Sequence, residues 1–565
     1  MEINRIEIID RILENLVTDE NIVTKEDFHK IKNIIYKEYK LPNAISSIAM
    51  LERYNELVKS GTYDYSIRVF KLLRKRAIRS LSGVSVISLL SKPWTCPGKC
   101  IYCPTYDNLP KSYIANEPAV MRALLNKFDP IRQIQNRLRS LEITGHNIEK
   151  CDDRIIGGTW SCYLENYREE FIKDLFDAHN TYTDLRDNII STNIESDKFA
   201  EFQIREGFEI KKSGSLEEAK KRNETALSRV IGIAVETRPD FINADEIKRL
   251  RKYGITRVEI GYQTTIDEIN ELNKRGHGNK ESIEATKLLK DAGFKVVAHI
   301  MPNLLGSTKE LDLKSLRKVF NDSDFRPDEL KIYPMVVTNN SELTEIWKSG
   351  GFIPYDDETL IDLMSDMQGM IPEYVRLNRM YRDIPAADIL AGSHLANLRQ
   401  IVDERMKLKG LIRKDISARE IRLKENDPLS AILDITEYEA SGGMEYYLQF
   451  IDPVDRTIFS QLRLRVPSQI FTKEKHFIDE LQDSAIIREV HTYGDQLKVG
   501  EKPDGTGQHL GFGKRLTAKA EEIIREKYPQ IKKMSVISGV GVRGYYKKIG
   551  YSLDGEYMVK QLYEI

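Results

Sequence analysis

"VSVISLLSKPWTCPGKCIYC", residues 84–103, joins an apolar run to three cysteines, Cys96, Cys100 and Cys103. A short, continuous apolar run of this kind reads as a strand buried on both faces, the habit of parallel sheets. The cysteines follow at its carboxyl end, where parallel sheets build their sites. Gly98 permits a tight turn there, and Pro97 and Pro104 stiffen the loop.

Outward from this stretch the same rhythm recurs. RIIGGTW (154–160), VIGIAVET (230–237), RVEIGYQ (257–263), KVVAHIMPN (295–303) and ELKIYPMVV (329–337) are further strand-like runs. Helical patterns such as NADEIKRLRKYG (243–254) and NKESIEATKLLKDAG (279–293) lie between them, each stopped by glycine. Six β-α units are fewer than the eight of a closed barrel, so the expected fold is α/β, a partial, open (β/α)6 barrel spanning residues 81–390. The polar stretch from about His179 to Asn223 reads as an insertion or loop. Residues 1–80 read as helical, 391–430 as a charged linker module, and 431–565 as a second, α+β domain.

The chain has 565 residues, 41% hydrophobic and 31% charged, with a net charge of -1, so global charge names no partner. The local balance differs. From Gly61 to Tyr106 eight Lys or Arg stand against Asp64 alone. On the helix expected from about Tyr65 to Ser80, Arg68, Lys71, Lys75 and Arg79 share a face. That face is either a solvated surface or one that tracks phosphates. The first residues lack a signal-peptide core, and no run of 18 apolar residues occurs. Five cysteines, three of them clustered, do not make a disulfide framework. A reducing cytoplasm and no membrane are expected.

Zinc would ask for a fourth thiolate or a histidine at tetrahedral geometry, and the chain has no second C-x2-C pair. Three thiolates suit a 4Fe–4S cluster with one iron left open to a small molecule. Cys151 and Cys162, beside the second strand, read as ordinary buried thiols. Near the C-terminus, QHLGFGKRL (508–516) places Gln508, Gly511 and Gly513 at a helix start. Such glycines let backbone N–H groups converge on a pyrophosphate.

The C-x3-C-x2-C loop on a partial barrel resembles the radical S-adenosylmethionine superfamily, and the C-terminal layout resembles the GCN5-related acetyltransferase fold. The combination, with "GYQT", "RGH", "DAGFKVVAHIMPNL", "FRPDELKIYP", "RDIPA" and "SVISGVGVRGYY" in order, resembles the elongator protein 3 family from about residue 65 onward. The shorter cysteine spacing points to its archaeal or bacterial stand-alone type. This resemblance implies a tRNA carboxymethyluridine synthase with a 4Fe–4S cluster, S-adenosylmethionine and acetyl-CoA as cofactors.

Its implied sites follow residue by residue. Cys96, Cys100 and Cys103 would hold the cluster. Gly157, Gly158 and Thr159 would meet the methionine part of S-adenosylmethionine, with Glu236, Arg238 and Gln263 at neighbouring strand ends. Lys150, Glu489, Val490, His491, Thr492, Gln508, Gly511, Phe512, Gly513, Lys514 and Tyr546 would hold acetyl-CoA. Lys280, His277 and Tyr545 are the catalytic candidates, against bland readings as loop or core residues. Arg68, Lys71, Lys75 and Arg79 would bind tRNA at its anticodon stem-loop. An electron donor is implied, and a homodimer is left open. No cysteine follows Cys162, so a linker zinc site is not expected. Two other readings compete: a protein lysine acetyltransferase with a structural barrel, and a non-catalytic tRNA-binding scaffold.

Overall fold

The computed structural model describes residues 5–39, 41, 45–73, 83–192, 202–422, 424, 426–493 and 510–563. Lys75, Arg79 and Gln508 lie outside them. Seven parallel strands form the barrel sheet in chain order: β1 (Ser85–Leu90), β2 (Lys150–Ile156), β3 (Arg229–Thr237), β4 (Arg257–Gln263), β5 (Lys295–Ile300), β6 (Glu329–Ile332) and β7 (Arg376–Arg379). The six expected strands are there, and β7 is added at the far edge. Its RLNR sequence is short and polar because Arg376 and Asn378 bond Glu420 and Glu329 rather than apolar neighbours.

One row of side chains along each strand packs outward on the helices, as Ile87, Leu89, Cys151, Ile155 and Val235 do. The other row faces the barrel interior and carries charge: Asp152 and Arg154 on β2, Arg257 and Glu259 on β4, Lys331 on β6. Closed barrels fill this space with branched apolar residues. Here buried charges are tolerable because each is paired. Arg257, for example, bonds Asp152 at 2.9 Å.

The segment after His179 is not a bare loop. It carries a helix at Tyr182–Asp187, a strand pair, Ile189–Thr192 with Phe202–Ile204, and a helix at Leu216–Asn223. Its polar sequence reflects caps and side-chain bonds, such as Ser213 and Asp177 at 2.6 Å.

Before the barrel, helices at Arg5–Thr18, Lys25–Glu38, Ser47–Lys59 and Ile67–Leu73 enclose a core of their own. Phe70 of the last helix fills the space a Cβ on Gly145 would need, locking this module to the barrel. After the barrel, the helix Leu398–Leu408 packs on Asp357–Gly369, and Val402, Met406 and Ile416 join the barrel's own core. The segment expected to be a linker is therefore built into the barrel.

The second sheet has seven strands: β8 (Ile432–Ala440), β9 (Gly443–Ile451), β10 (Ile458–Val466), β11 (Ser484–Thr492), β12 (Lys533–Val536), β13 (Ser552–Asp554) and β14 (Tyr557–Gln561), ordered β8-β9-β10-β11-β12-β14-β13. One face packs on the helix Phe512–Lys527, the other on the barrel. On the barrel-facing side, apolar residues such as Tyr447, Ile451 and Ile486 join the barrel's core, and buried ion pairs run among them. Arg488 bonds Asp328 at 2.8 Å, Arg465 bonds Asp291 at 2.6 Å, and Lys295 bonds Glu489 at 2.8 Å. Arg463 and Arg465 rank among the largest fully buried side chains.

Candidate active site

The cysteine loop and the carboxyl ends of the strands surround a cavity of about 670 Å³. Cys96, Cys100 and Cys103 all line it. Cys96 Sγ lies 3.4 Å from Thr159 Oγ1. Cys100 Sγ accepts a bond of 3.6 Å from Arg275 Nη1. The Cys103 thiol and, after it, Arg275 outweigh burial and hold the Cys100 thiol down at about 4. The loop is pinned by Lys111 Nζ, which donates to Gly98 O at 2.6 Å.

The strand-end residues gather at the same cavity. Gly158, Thr159, Glu236, Arg238 and Gln263 line it. β2 ends at Ile156, so Gly157 to Thr159 form the turn just past it rather than its last residues. Gly157 has φ +134, and a Cβ there would lie 2.2 Å from Ser91 Oγ, so only glycine fits. Glu236 accepts from Tyr113 OH at 2.8 Å and from Lys331 Nζ at 3.4 Å. Arg238 bonds Asp240 with Nε and Nη2, both at 2.9 Å. Its Nη1 is buried without a partner among the described residues. Gln263, held at φ +66, likewise buries an unpartnered Oε1. Buried polar atoms are nearly always bonded, so these two mark places for a polar ligand.

Three adjacent thiols, two orphaned polar groups and a glycine turn fit a cluster and an amino-acid-bearing ligand. Their three-thiol donor set leaves a fourth position for that ligand.

Other candidates lie elsewhere. Both nitrogens of His277 are buried without partners among the described residues, and His277 is not on the cavity lining. Burial, then the Arg275 charge, pulls its pKa down to about 3, so it stays neutral. Lys280 is exposed in the first turn of the helix Asn279–Asp291. Arg275, in the same "RGHGNK" string, is the residue that reaches the thiols. Lys150 begins β2, at the end of the sheet away from the cysteines. Cys151 is buried as expected, whereas Cys162 is only half-buried.

The second-sheet candidates form their own cluster. β11 pairs with β10 along its length but with β12 only over Ser484–Ile487. Val490 and Thr492 therefore flank a gap facing the start of the helix Phe512–Lys527. A Cβ on Gly513 would stand 3.2 Å from Tyr545 OH and 3.5 Å from Val490 Cγ1. Gly511 caps the helix at φ +67, and, being glycine, it has no side chain to cap the first N–H groups.

Phe512 stacks on Phe450 in the core, so only its backbone is on offer; Lys514 is exposed. His491 stacks on Tyr493 at 4.3 Å. Both oxygens of Glu489 are engaged by Lys295 and Arg463, so its side chain ties the two sheets together. Of the tyrosine pair, Tyr545 faces the gap, whereas Tyr546, expected to hold acetyl-CoA, is buried in the core. This gap abuts the amino ends of the barrel strands through Glu489 and Lys295, opposite the cysteines.

On the N-terminal helices, Arg68 donates to the carbonyls of Leu16, Asp19 and Ile22 at 2.8, 3.2 and 2.8 Å. Its guanidinium closes a helix end and is not presented to a phosphate. Lys71 is exposed.

Comparison with known proteins agrees with this arrangement. The family model described as the Radical SAM superfamily matches residues 206–317, and the Radical_SAM C-terminal domain matches 327–408. A tRNA uridine(34) acetyltransferase of Methanocaldococcus infernus is 37% identical over 98% of both chains. Elongator complex protein 3 of Homo sapiens is 34% identical over 95% of this chain and 93% of its own. The solved archaeal Methanocaldococcus infernus Elp3, lacking its N-terminus, aligns with a TM-score of 0.70 at 36% identity, covering 85% of this chain and 99% of that one. With three thiols on a parallel-strand cavity and relatives matched over nearly its whole length, the chain belongs to the Elongator complex protein 3 family.

Proposed function

We propose that this chain is a tRNA-modifying enzyme that places a carboxymethyl group on carbon 5 of the wobble uridine, taking its two carbons from acetyl-CoA. The single observation that carries the reading is the cavity where Cys96, Cys100 and Cys103 meet the unpartnered Arg238 Nη1 and Gln263 Oε1. The cysteines would hold a 4Fe–4S cluster, which when bound supplies the electron that turns S-adenosylmethionine into a 5′-deoxyadenosyl radical. This chain's residues do the rest by position. Arg238 Nη1 offers a donor to a carboxylate and Gln263 Oε1 an acceptor to an amine or hydroxyl. Arg275 sets a guanidinium against Cys100 Sγ, a contact that favours negative charge on that sulfur.

The helix start at Gly511–Gly513 and the open edge of β11 would hold the pyrophosphate and arm of acetyl-CoA, with Tyr545 beside the arm. The two candidate sites lie at opposite ends of a sheet whose β5 alone rises roughly 17–20 Å. The acetyl group therefore has to be presented well away from the nucleotide end of its carrier. Exposed Lys71 remains a candidate for tRNA contact.

The test is anaerobic reconstitution with iron and sulfide, followed by S-adenosylmethionine, methyl-labelled acetyl-CoA and tRNA. The expected result is labelled carboxymethyluridine in digested tRNA. Label on protein lysines with none on uridine would support the lysine acetyltransferase reading instead.

A further inference from the structure

One wall of the cavity carries a chain of bonded titratable groups, of which only Glu236 has been given a role so far. His299 Nε2 lies 2.8 Å from Glu259 Oε2. The same carboxylate is bonded by Lys331, whose ammonium also reaches Glu236 at 3.4 Å. All four residues line the cavity. Donor atoms of Glu236, Glu259 and His299 lie within 4.8 Å of one another, a spacing that could hold a metal ion. The Lys331 ammonium, bonded to both carboxylates, already supplies the positive charge there, so the cluster is not built as a cation site.

We propose that His299 is the base that takes the proton from carbon 5 of the target uridine, with Glu259 and Lys331 as its positioning residues. This rests on the function proposed above. Adding a carbon radical to carbon 5 of uridine breaks the C5=C6 π bond and leaves the unpaired electron on carbon 6. To restore the ring, one electron passes to an acceptor of the oxidised iron–sulfur class. The C5–H bond then breaks, its electron pair forms the new C5=C6 bond, and its proton goes to a base.

Each of the other carboxylates on the cavity lining is paired with a cation, Asp383 with Arg379 at 3.2 Å among them, and the unpartnered Gln263 Oε1 is an amide oxygen, which does not act as a base. The cysteines belong to the metal, and Glu117 is bonded by Arg382 at 2.6 Å. Glu236 is bonded by Tyr113 and Lys331, and Glu259 by Lys331 and His299. Carboxylates matched to cations are weak bases. An imidazole that gives one N–H to a carboxylate keeps its second nitrogen as an acceptor. His299 meets that description, with its ring set edge-on to Tyr333 at 5.6 Å.

The test compares the reconstituted parent with His299→Gln and Glu259→Gln, measuring iron content, 5′-deoxyadenosine and modified nucleoside. Iron content should match the parent in both variants. In His299→Gln the 5′-deoxyadenosine formed per modified uridine should rise roughly a hundredfold. Deuterium at carbon 5 should then slow product formation, which it does not in the parent. Glu259→Gln should move the same ratio in the same direction by less, and imidazole should restore product to His299→Ala.

A ratio within about twofold of the parent would overturn the proposal, as would loss of iron in both His299→Gln and His299→Asn, which would make the residue structural. A parent that forms 5′-deoxyadenosine yet never modifies uridine would remove the underlying function and this inference together. That failure is told apart by the parent's own product.

Discussion

At the scale of single residues, the site depends on contacts that tolerate little change. Gly157 sits at φ +134 with Ser91 Oγ where a Cβ would go. Gly157→Ala should destabilise the fold by about 1–3 kcal/mol, read as a lower melting temperature, and should weaken S-adenosylmethionine binding in equilibrium dialysis. Arg275 is the buried cation that reaches Cys100. Arg275→Gln should lose iron faster than the parent when both reconstituted proteins face a chelator; equal loss would mean that the contact does not stabilise the metal centre.

The cysteines and the glycines after β2 were legible in the sequence because their spacing and strand-end position are themselves the signal. Arg275 was not. "RGHGNK" offers four polar side chains within six residues, and only the turn at Gly276, with φ +76, decides which one enters the cavity. His299 and Lys331 had a fainter signal: a basic residue inside an otherwise apolar strand run, KVVAHIMPN and ELKIYPMVV. Arg68 shows the reverse error, since a basic stripe on a helix does not reveal that one member is spent on carbonyls of another helix.

At the scale of elements, the strands that pack apolar residues against helices announced themselves through β-branched runs. β7 did not, because its residues bond charges instead of filling a core. The helix Phe512–Lys527 was legible from its glycines, and its packing explains which residues serve it. Phe512 anchors in the core while Gly513 leaves room beside Tyr545 and Val490. Gly513→Val should fill that gap without forcing a left-handed backbone. Acetyl-CoA affinity should fall about tenfold, or 1.4 kcal/mol, by titration calorimetry, with the thermal midpoint little changed. Unaltered affinity would move the acyl-donor site off this helix start.

At the scale of the whole molecule, the two sheets are joined by buried ion pairs rather than by a flexible linker. Arg488 lies between Asp328 and Glu445, and Lys290 beside both. Removing one partner strands the other charges in the interior, so Arg488→Met should cost about 3–5 kcal/mol in urea unfolding. The same network sets an acid limit. Burial alone would raise the Asp328 pKa, but Arg488, then Lys290 and Arg463, outweigh it and hold the carboxyl at about 2. The unfolded chain takes up that proton near the ordinary aspartate value of about 3.9. Between these values the unfolded state binds more protons. This contribution, roughly 2–3 kcal/mol, is therefore full above about pH 5 and is lost as pH falls through 4 towards 2. Asp328→Asn should be less stable than the parent at pH 5, with the gap narrowing towards pH 2.

The sequence carried the order of the two sheets. It could not carry their docking, since Arg463, Arg465 and Arg488 read as outward-facing positions until the barrel is placed against them. That docking puts the gap proposed for the acyl donor and the cysteine cavity at opposite ends of one sheet.

The central claim is that a radical made at the cavity draws its carbon from acetyl-CoA and delivers it to uridine. The most direct measurement supplies acetyl-CoA with a fully deuterated methyl group to the reconstituted enzyme and tRNA, and weighs both products. The account predicts 5′-deoxyadenosine heavier by one deuterium and carboxymethyluridine retaining two. Unlabelled 5′-deoxyadenosine, or a uridine product that keeps all three deuterons, would contradict it.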